Sequence, residues 1–248
     1  MLYPIHVRGS LPKGLSEELD RGLVSKIYTV ALGAQGSCFI IYLGRDGLDH
    51  FYSYGLPRRL QDWLSARSPR GRWVGNLRGL RLCLGPDNAS YWAADGADSI
   101  SENLPSGLQV YLSLLPNNGV KLVDCISLGC NGTYYLRTSN GRHRRNIAGS
   151  AKLSDYLDSV QSSAGNLTNV AGLALHPVYK DTWILQSANG FSFSNGLDAQ
   201  AREAFDNIQP AVEAKLQRTS LKAALERMEI EQMIAEHRAK MEANEREH

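Results

Sequence analysis

Hydrophobic and polar positions recur in a fixed order along the first 209 residues of the chain. A spacing that we call the Leu-Pro motif, Leu-Pro-x-x-Leu-x-x-x-Leu, occurs at 11–19, 56–64 and 104–112, and weaker versions occur at 153–157 and 201–205. The lead positions of the five motifs, spaced alternately by 45 and 48 residues, are Leu15, Leu60, Leu108, Leu153 and Ala201. A period this regular predicts a repeat protein.

Three strand-like runs lie between successive motifs. The first run ends in a turn, and the second ends in a dipeptide typical of β-hairpins: Asp46-Gly47, Asp95-Gly96, Asn140-Gly141 and Asn189-Gly190. These dipeptides tolerate positive φ at both central positions and predict type I′ turns. The third run covers 50–55, 98–103, 142–149 and 191–196. Each unit of about 46 residues is therefore predicted to contain three strands and a short helix.

The Leu-Pro motif itself predicts the helix. Proline suits the first helical position, where its missing N–H is not needed, and leucines at i and i+4 form an apolar stripe. Trp63, Tyr111 and Tyr156 lie at i+3 and widen that stripe. Lectins built from repeats also place one aromatic residue in each blade, but the apolar face of a helix favours a core position.

The repeat bounds the fold and the domains. A three-stranded sheet of this size buries its apolar face only by stacking on its neighbours. We predict a mainly β fold with short helices, in which four repeats form a β-propeller-like ring or an open array, and we favour the ring. The repeat domain spans 1–209, with a partial unit at 1–22 and units at 23–66, 67–115, 116–161 and 162–209. Residues 3–10 resemble the third strand of an incomplete fifth unit.

The hairpin core of each unit resembles the blades of the regulator-of-chromosome-condensation repeat family. Those blades place a glycine, a serine or threonine, an Asp-Gly hairpin and a final glycine in this order. The matching residues are Gly33, Ser37, Asp46-Gly47 and Gly55 in unit one, and Gly129, Thr133, Asn140-Gly141 and Gly149 in unit three. The family's Trp-Gly-x-Asn continuation is absent, and the Leu-Pro motif replaces it. The resemblance implies propeller-type blades and carries over no functional residue.

The composition changes after Gln209. Residues 210–248 contain no glycine, have one proline at the start, and are rich in Ala, Glu, Lys and Leu, which predicts one long C-terminal α-helix. The candidate partner-binding residues of this arm are Leu221, Leu225, Met228, Met233 and Ile234. Because their spacing does not keep a coiled-coil heptad, three interpretations stay open. The arm is a helix for oligomerisation or partner attachment, a helix packed on the repeat domain, or a linker to further chain.

Composition and cysteine usage bear on location. The chain has 43% hydrophobic residues and a formal net charge of +2, which gives no global attraction to nucleic acid or membrane. It has no secretory signal and no apolar run long enough to span a bilayer. The cysteines show no metal-ligand spacing and are interpreted as free thiols: Cys38, Cys83, Cys125 and Cys130. We expect a cytoplasmic or nuclear protein without a membrane partner.

No recognised catalytic or cofactor motif occurs in the sequence. It lacks a phosphate-binding Gly-rich loop and an HExxH segment, and its six histidines are scattered. We therefore expect no cofactor, no metal and no catalytic residues, and we favour binding over enzymatic activity.

Two arginine clusters supply the candidate binding residues. The first lies within 58–81, where seven arginines face one acid, and the second is the segment 142–145. Arginine pairs with phosphate and tryptophan stacks on bases, so both clusters fit an anion or a nucleic acid. The candidates are Arg67, Arg70, Arg72, Trp73, Arg142, His143, Arg144 and Arg145. The alternatives are a solvated linker for the first cluster and a charge-protected edge strand for the second.

These patterns favour a non-enzymatic repeat module that binds another macromolecule, in the first instance a protein, through loops at one end of the array. The C-terminal helix would add homo-oligomerisation or a second attachment. Two alternatives stay open: a lectin-like, glycan-binding propeller with one site per repeat, and a module that binds nucleic acid or another polyanion through the arginine clusters. The leading interpretation depends on analogy between folds.

Overall fold

A computed structural model of the chain describes residues 21–116, 119–148, 150–164, 170–187, 192–203 and 205–207, together with positions 17, 19, 209, 228 and 231–233. Within these residues, consecutive strands form four three-stranded antiparallel sheets. Sheet 1 contains β1 (Val24–Leu32), β2 (Cys38–Gly44) and β3 (Asp49–Tyr54). Sheet 2 contains β4 (Arg81–Leu84), β5 (Tyr91–Asp95) and β6 (Asp98–Glu102). Sheet 3 contains β7 (Val123–Leu128), β8 (Tyr134–Thr138) and β9 (His143–Asn146), and sheet 4 contains β10 (Val170–Leu175), β11 (Trp183–Ser187) and β12 (Ser192–Asn195).

A helix follows each sheet at its Leu-Pro motif. The helices after the first three sheets are α1 (Arg58–Arg67), α2 (Ser106–Ser113) and α3 (Ala151–Ala164). Residues 199–203 and 205–207, after sheet 4, are also helical. The predicted order of three strands and a short helix is therefore confirmed. The prolines stand one position earlier than predicted: Pro57 and Pro105 are N-cap residues whose carbonyl oxygens accept the first helical hydrogen bonds.

The turn between the first and second strands is closed in the same way in all four sheets. A backbone N–H at the start of the turn donates to a carbonyl oxygen at its end, over 2.8–2.9 Å. The donor and acceptor pairs are Gly33 and Ser37, Gly85 and Ser90, Gly129 and Thr133, and His176 and Thr182. The four turns that the sequence aligns are therefore structurally equivalent, although their lengths differ.

The hairpins between the second and third strands lie where the sequence places them, but their turn type differs. In the segments 45–47 and 139–141, only Gly47 (φ 78°) and Gly141 (φ 81°) have positive φ. The N–H of each glycine donates to the carbonyl oxygen three residues earlier, at 3.1 Å and 2.9 Å. This geometry is a type I turn followed by a left-handed glycine, which is the usual three-residue hairpin loop.

The prediction of type I′ turns is therefore wrong, and side-chain hydrogen bonds explain why. Asp46 Oδ1 accepts the N–H of Leu48 at 3.0 Å, and Asn140 Oδ1 accepts the N–H of Arg142 at 3.3 Å. These contacts form while the aspartate or asparagine keeps a negative φ, so that only the glycine has to be left-handed. In the hairpin of sheet 2, between β5 and β6, the left-handed residue is Gly96 (φ 62°). The segment Asn189-Gly190 lies outside the described residues.

The sheets stack through their first strands. β1 contacts β4, β4 contacts β7, and β7 contacts β10. At two of these junctions a glycine of one turn lies against the next sheet: a Cβ on Gly33 would lie 3.0 Å from Leu84 Cβ, and one on Gly129 would lie 3.1 Å from Leu175 Cβ. Glycine at these two positions therefore permits the close approach of neighbouring sheets.

Both faces of the middle strand are buried in sheets 2 and 3, because each of these two sheets has a neighbour on either side. In β5, Tyr91 and Ala93 belong to the core between sheets 1 and 2, whereas Trp92 and Ala94 belong to the core between sheets 2 and 3. Such strands read as continuous apolar runs instead of alternating ones.

The helices close the outer part of each junction. Leu60 and Leu64 of α1 pack between sheets 1 and 2, Leu108 of α2 between sheets 2 and 3, and Leu153 and Leu157 of α3 between sheets 3 and 4. The aromatic residues predicted to face the core do so and are partly buried there: Trp63, Tyr111 and Tyr156.

Helical residues also lie on the faces of sheets 1 and 4 that are not part of these three junctions, which we call their outer faces. Leu19 packs against the outer face of sheet 1, beside Ile27 and Ile40. Arg202 donates to Ser194 Oγ at 2.7 Å on the outer face of sheet 4. The predicted strand at 3–10 and most of the C-terminal arm lie outside the described residues. Among the helices that the structure describes, none is long and apolar enough to cross a membrane.

Candidate docking surface

Arg67, from the first arginine cluster, makes its contacts within the repeat domain. Its guanidinium lies 3.6 Å from the ring centre of Trp63 and forms ion pairs with Asp95 (3.6 Å) and Asp98. These aspartates flank the turn between β5 and β6, so the side chain joins α1 to sheet 2. Since only 19% of the side chain is exposed, its structural contacts leave little of it for a ligand.

The neighbours of Arg67 divide between surface and core. Arg70 and Arg72 are exposed, and Arg70 has a left-handed backbone (φ 57°) in the turn Pro69–Gly71. Trp73 packs on the core between sheets 1 and 2, where its ring meets Phe51 edge-on with ring centres 5.8 Å apart. The structure therefore separates Trp73 from the exposed arginines that the sequence groups with it.

Two arginines tie neighbouring sheets together. Arg81 on β4 donates to the carbonyl oxygen of Val123, at the start of β7. Arg137 on β8 donates to the carbonyl oxygen of Val170, at the start of β10. In the register of the sheets, Arg81 faces Ala94 and Arg137 faces Cys125, so the arginine comes from the first strand in one unit and from the second strand in the next. The same contact is thus supplied from two positions.

The second cluster is split between the two faces of β9, the edge strand of sheet 3. His143 and Arg145 are partly buried, and Arg145 forms an ion pair with Asp158 of α3. Burial, and next the charge of Arg145, lower the pKa of His143, so that His143 is neutral at pH 7. Arg142 and Arg144 are exposed. Among the described residues, no carboxylate lies within ion-pair distance of either of them.

Arg144 lies beside α2. Its guanidinium is 5.3 Å from the ring centre of Tyr111, which occupies the position in α2 that Trp63 occupies in α1. β9 and α2 are in direct contact. Arg144 therefore borders α2, and the exposed Arg142 lies two residues earlier in the chain, just before β9.

The outward face of α2 differs from that of every other Leu-Pro helix. The positions two and six residues after the lead residue are exposed in all five motifs. They hold Glu17 and Arg21, Asp62 and Ala66, Val110 and Leu114, Asp155 and Ser159, and Glu203 and Asn207. Only in α2 are both positions occupied by larger aliphatic side chains, and these are 58% and 76% exposed. Since the lead leucines of α1, α2 and α3 are all buried whatever the outward residues are, packing does not require the two residues.

We define the α2–β9 surface as Val110, Tyr111, Leu114, Arg142 and Arg144. Its centre is apolar and its border is cationic, which is the arrangement typical of a protein-binding surface with a polar rim. The sequence prediction found the two arginines but missed the two aliphatic residues. Comparison of the five motifs position by position was the signal that could have found them.

A small, shallow cleft opens to solvent between sheets 3 and 4. Trp183 Nε1 donates to Ser150 Oγ at 3.0 Å, and Ser150 Oγ contacts Asp181 Oδ1. His176 Nδ1 accepts the N–H groups of Val178 and Tyr179, each at 3.0 Å. Burial lowers the pKa of His176, so that the ring is neutral at pH 7 with its proton on Nε2.

This cleft does not form a catalytic constellation. Ser150 hydrogen-bonds to a carboxylate, and a nucleophilic serine needs a histidine or another base in that place. Elsewhere, burial raises the pKa of Cys38 to about 11 and also raises the pKa of Cys83 and Cys125, so these thiols are not nucleophiles at pH 7. Among the described residues, no group of three or more His, Cys, Asp or Glu side chains could hold a metal ion.

Of the arm residues predicted to bind a partner, the structure describes Met228 and Met233. Both are helical, and both are exposed, by 64% and 61%. Leu221, Leu225 and Ile234 lie outside the described residues.

Neither a family model, nor a curated protein, nor a solved structure matches this chain.

Proposed function

We propose that the protein is a non-enzymatic repeat module that binds a protein partner through the α2–β9 surface. The observation that carries the proposal is the exposure of Val110 and Leu114 at positions where the other four motifs carry polar or small residues. A single exposed aliphatic residue is common on a protein surface and needs no explanation. Here the pair adjoins two arginines without acidic partners among the described residues, and the two features together fit a docking role.

The same observations favour a protein over a nucleic acid. Nucleic-acid binding needs a continuous row of arginines or lysines with stacking aromatic residues. Arg67 and Arg145 are held in ion pairs, and Trp73 packs on the core. Of the candidate arginines, those that are exposed and have no ion pair among the described residues form two separate pairs, Arg70 with Arg72 and Arg142 with Arg144. The second pair adjoins the apolar residues of α2.

A photo-cross-linking experiment tests the proposal. A benzophenone amino acid replaces Val110 or Leu114 in the full chain, and in matched controls it replaces Asp62 or Ala66 at the same positions of α1. We expect protein adducts from the two α2 positions and none from the two α1 positions. The proposal is overturned if all four positions behave alike, or if nuclease treatment removes the α2 adducts.

We further propose that the four sheets form an open array. Leu84 and Leu128, at equivalent positions in the first strands of sheets 2 and 3, are 5% and 3% exposed, whereas Leu32 of sheet 1 is 41% exposed. A closed ring would cover Leu32 with the turn of sheet 4. The count of helices agrees, because five Leu-Pro motifs match three junctions and two outer faces, and a ring of four sheets has only four junctions.

Spin labels at positions 32 and 178 test this arrangement through their separation, measured by double electron–electron resonance. Stacked sheets lie about 10 Å apart. We expect a separation above about 25 Å for an open array of four sheets, since three spacings intervene. A separation near one spacing would establish the ring instead.

A further inference from the structure

We propose that the α2–β9 surface binds the C-terminal arm of a second copy of this chain, so that two copies exchange arms. This inference rests on the docking role proposed above and names its partner. It links two features that the repeat domain leaves unexplained: the apolar outward face of α2 and the exposed methionines of the arm.

Both sides of the proposed contact are uncovered in the single chain. Val110 and Leu114 are 58% and 76% exposed, and Met228 and Met233 are 64% and 61% exposed. The arm of one chain therefore does not cover its own α2 through these residues. Exchange between two copies would remove all four side chains from water twice over, once in each copy.

The charges of the two partners are complementary. Residues 226–236 of the arm carry four glutamates and one arginine: Glu226, Arg227, Glu229, Glu231 and Glu236. The α2–β9 surface offers Arg142 and Arg144, and the described residues contain no carboxylate paired with either. Opposite charges at the border of an interface guide the approach of partners and select against wrong ones.

The spacing of apolar residues in the arm suits a helix lying on a helix. In the sequence, Leu221, Leu225 and Met228 follow each other by four and three residues, which is the spacing of one apolar side of a helix. Val110 and Leu114 are separated by four residues and form one turn of exposed apolar surface on α2. An arm helix with neighbouring glutamates can therefore set its apolar side on α2 and its carboxylates toward β9.

Self-pairing of the α2–β9 surface is a poorer solution. A twofold contact brings the same patch of both copies together. It would place the exposed Arg142 and Arg144 of one copy near those of the other, and like charges across an interface oppose association. The glutamate-rich segment 226–236 of the arm avoids this repulsion, which is the reason to choose it over a second α2.

The test measures the solution mass of the full chain by light scattering and sedimentation. V110D/L114D disables the surface, M228D/M233D disables the arm, and L48D is the matched control, because Leu48 is 60% exposed on a distant hairpin turn. We expect the wild type and L48D to be dimers and the other two variants to be monomers. Because all five substituted side chains are exposed in the single chain, thermal unfolding measured at a concentration where the wild type is also monomeric should be unchanged in every variant.

Mixing the two monomeric variants gives the decisive result. The V110D/L114D chain keeps an intact arm, and the M228D/M233D chain keeps an intact surface, so a mixture can form one arm-to-surface contact. We expect a mixed dimer, weaker than the wild type because one contact of two remains. The charge reversal R142E/R144E should weaken the wild-type dimer by about tenfold, with a smaller effect at high salt.

Three results would overturn the inference. A monomeric wild-type chain excludes arm exchange. Loss of the dimer in M228D/M233D but not in V110D/L114D shows that the arms pair with each other. Failure of the mixture to form a dimer excludes the arm-to-surface contact. In each case the α2 cross-linking experiment still decides whether the surface binds a different protein, so the two proposals fail separately.

Discussion

α1 and α2 come from the same motif and bury the equivalent leucine, yet their solvent-facing sides differ in ion pairing and in exposed apolar area. On α1, Arg67 covers Trp63 and pairs with acidic residues of the next sheet. On α2, the equivalent aromatic residue Tyr111 is covered by Arg144, which arrives from the next sheet and has no acidic partner among the described residues. The arginine of α1 is thus paired with carboxylates across the junction, whereas the arginine beside α2 has no such partner among the described residues and lies next to exposed apolar side chains.

The difference teaches that a repeat constrains its buried positions and leaves its outward positions free. The lead leucines of α1, α2 and α3 are fully buried between two sheets, so these units must keep an apolar residue there. The outward positions contact solvent, and any unit can change them without a cost in folding. A departure from the pattern at an outward position is therefore more informative about binding than a departure in the core.

The largest expected effect would confirm that the two helices are equivalent on their buried side. Leu60 and Leu108 are both 0% exposed. Leu60→Ala and Leu108→Ala should each lower the free energy of unfolding by about 3 kcal/mol, through lost burial and the cavity left behind. Urea denaturation of both variants measures it. A cost below about 1 kcal/mol for either one would show that the helix does not close its junction.

The next effect separates the two arginines. Arg67→Ala should cost about 1 kcal/mol of stability, because it removes a ring contact and two ion pairs that hold α1 to sheet 2. Arg144→Ala should cost less than about 0.5 kcal/mol, because among the described residues its guanidinium has the ring contact with Tyr111 and no ion pair. Thermal unfolding of the two variants checks the order. Equal losses would remove the distinction between a satisfied and an unsatisfied surface.

A smaller effect on stability should accompany the loss of binding. Val110→Ser and Leu114→Ser should change the free energy of unfolding by less than about 0.5 kcal/mol, because both side chains are exposed in the single chain. The same variants should lose association in light scattering. A marked loss of stability would mean that the outward face of α2 is part of the fold.

The smallest effect concerns transplantation of the aliphatic pair. Asp62→Val with Ala66→Leu gives α1 the outward residues of α2, and we expect stability to change by less than about 0.5 kcal/mol. In a V110D/L114D background, the transplanted pair should not restore association, since Arg67 is already paired with Asp95 and Asp98. Sedimentation measures the outcome. Restored dimers would show that the aliphatic pair alone is sufficient and that the arginines of β9 are not needed.

Local patterns in the sequence were enough to predict each unit, with its three strands, its hairpins and its short helix. The turn type was not predicted correctly. The choice between a type I′ turn and a type I turn with a left-handed glycine depends on which backbone N–H groups donate to the side chains of Asp46 and Asn140. The candidate site was predicted in part. Arg142 and Arg144 were among the predicted binding residues, and that role stays a prediction; nothing local distinguishes Arg144 from Arg145, whose ion pair forms with a helix further along the chain.

By itself, the sequence determined the period, the order of elements and the residues that face the core, because these depend on spacing along a single strand or helix. Only the tertiary structure decided which arginines form ion pairs within the repeat domain and which are exposed without an ion pair among the described residues. That choice depends on neighbours from other units: Arg67 meets Asp95 and Asp98 across a junction, while Arg144 meets an aromatic ring and solvent. Charge pairing over such distances leaves no periodic trace in the chain, since each partner is selected by the packing of whole sheets.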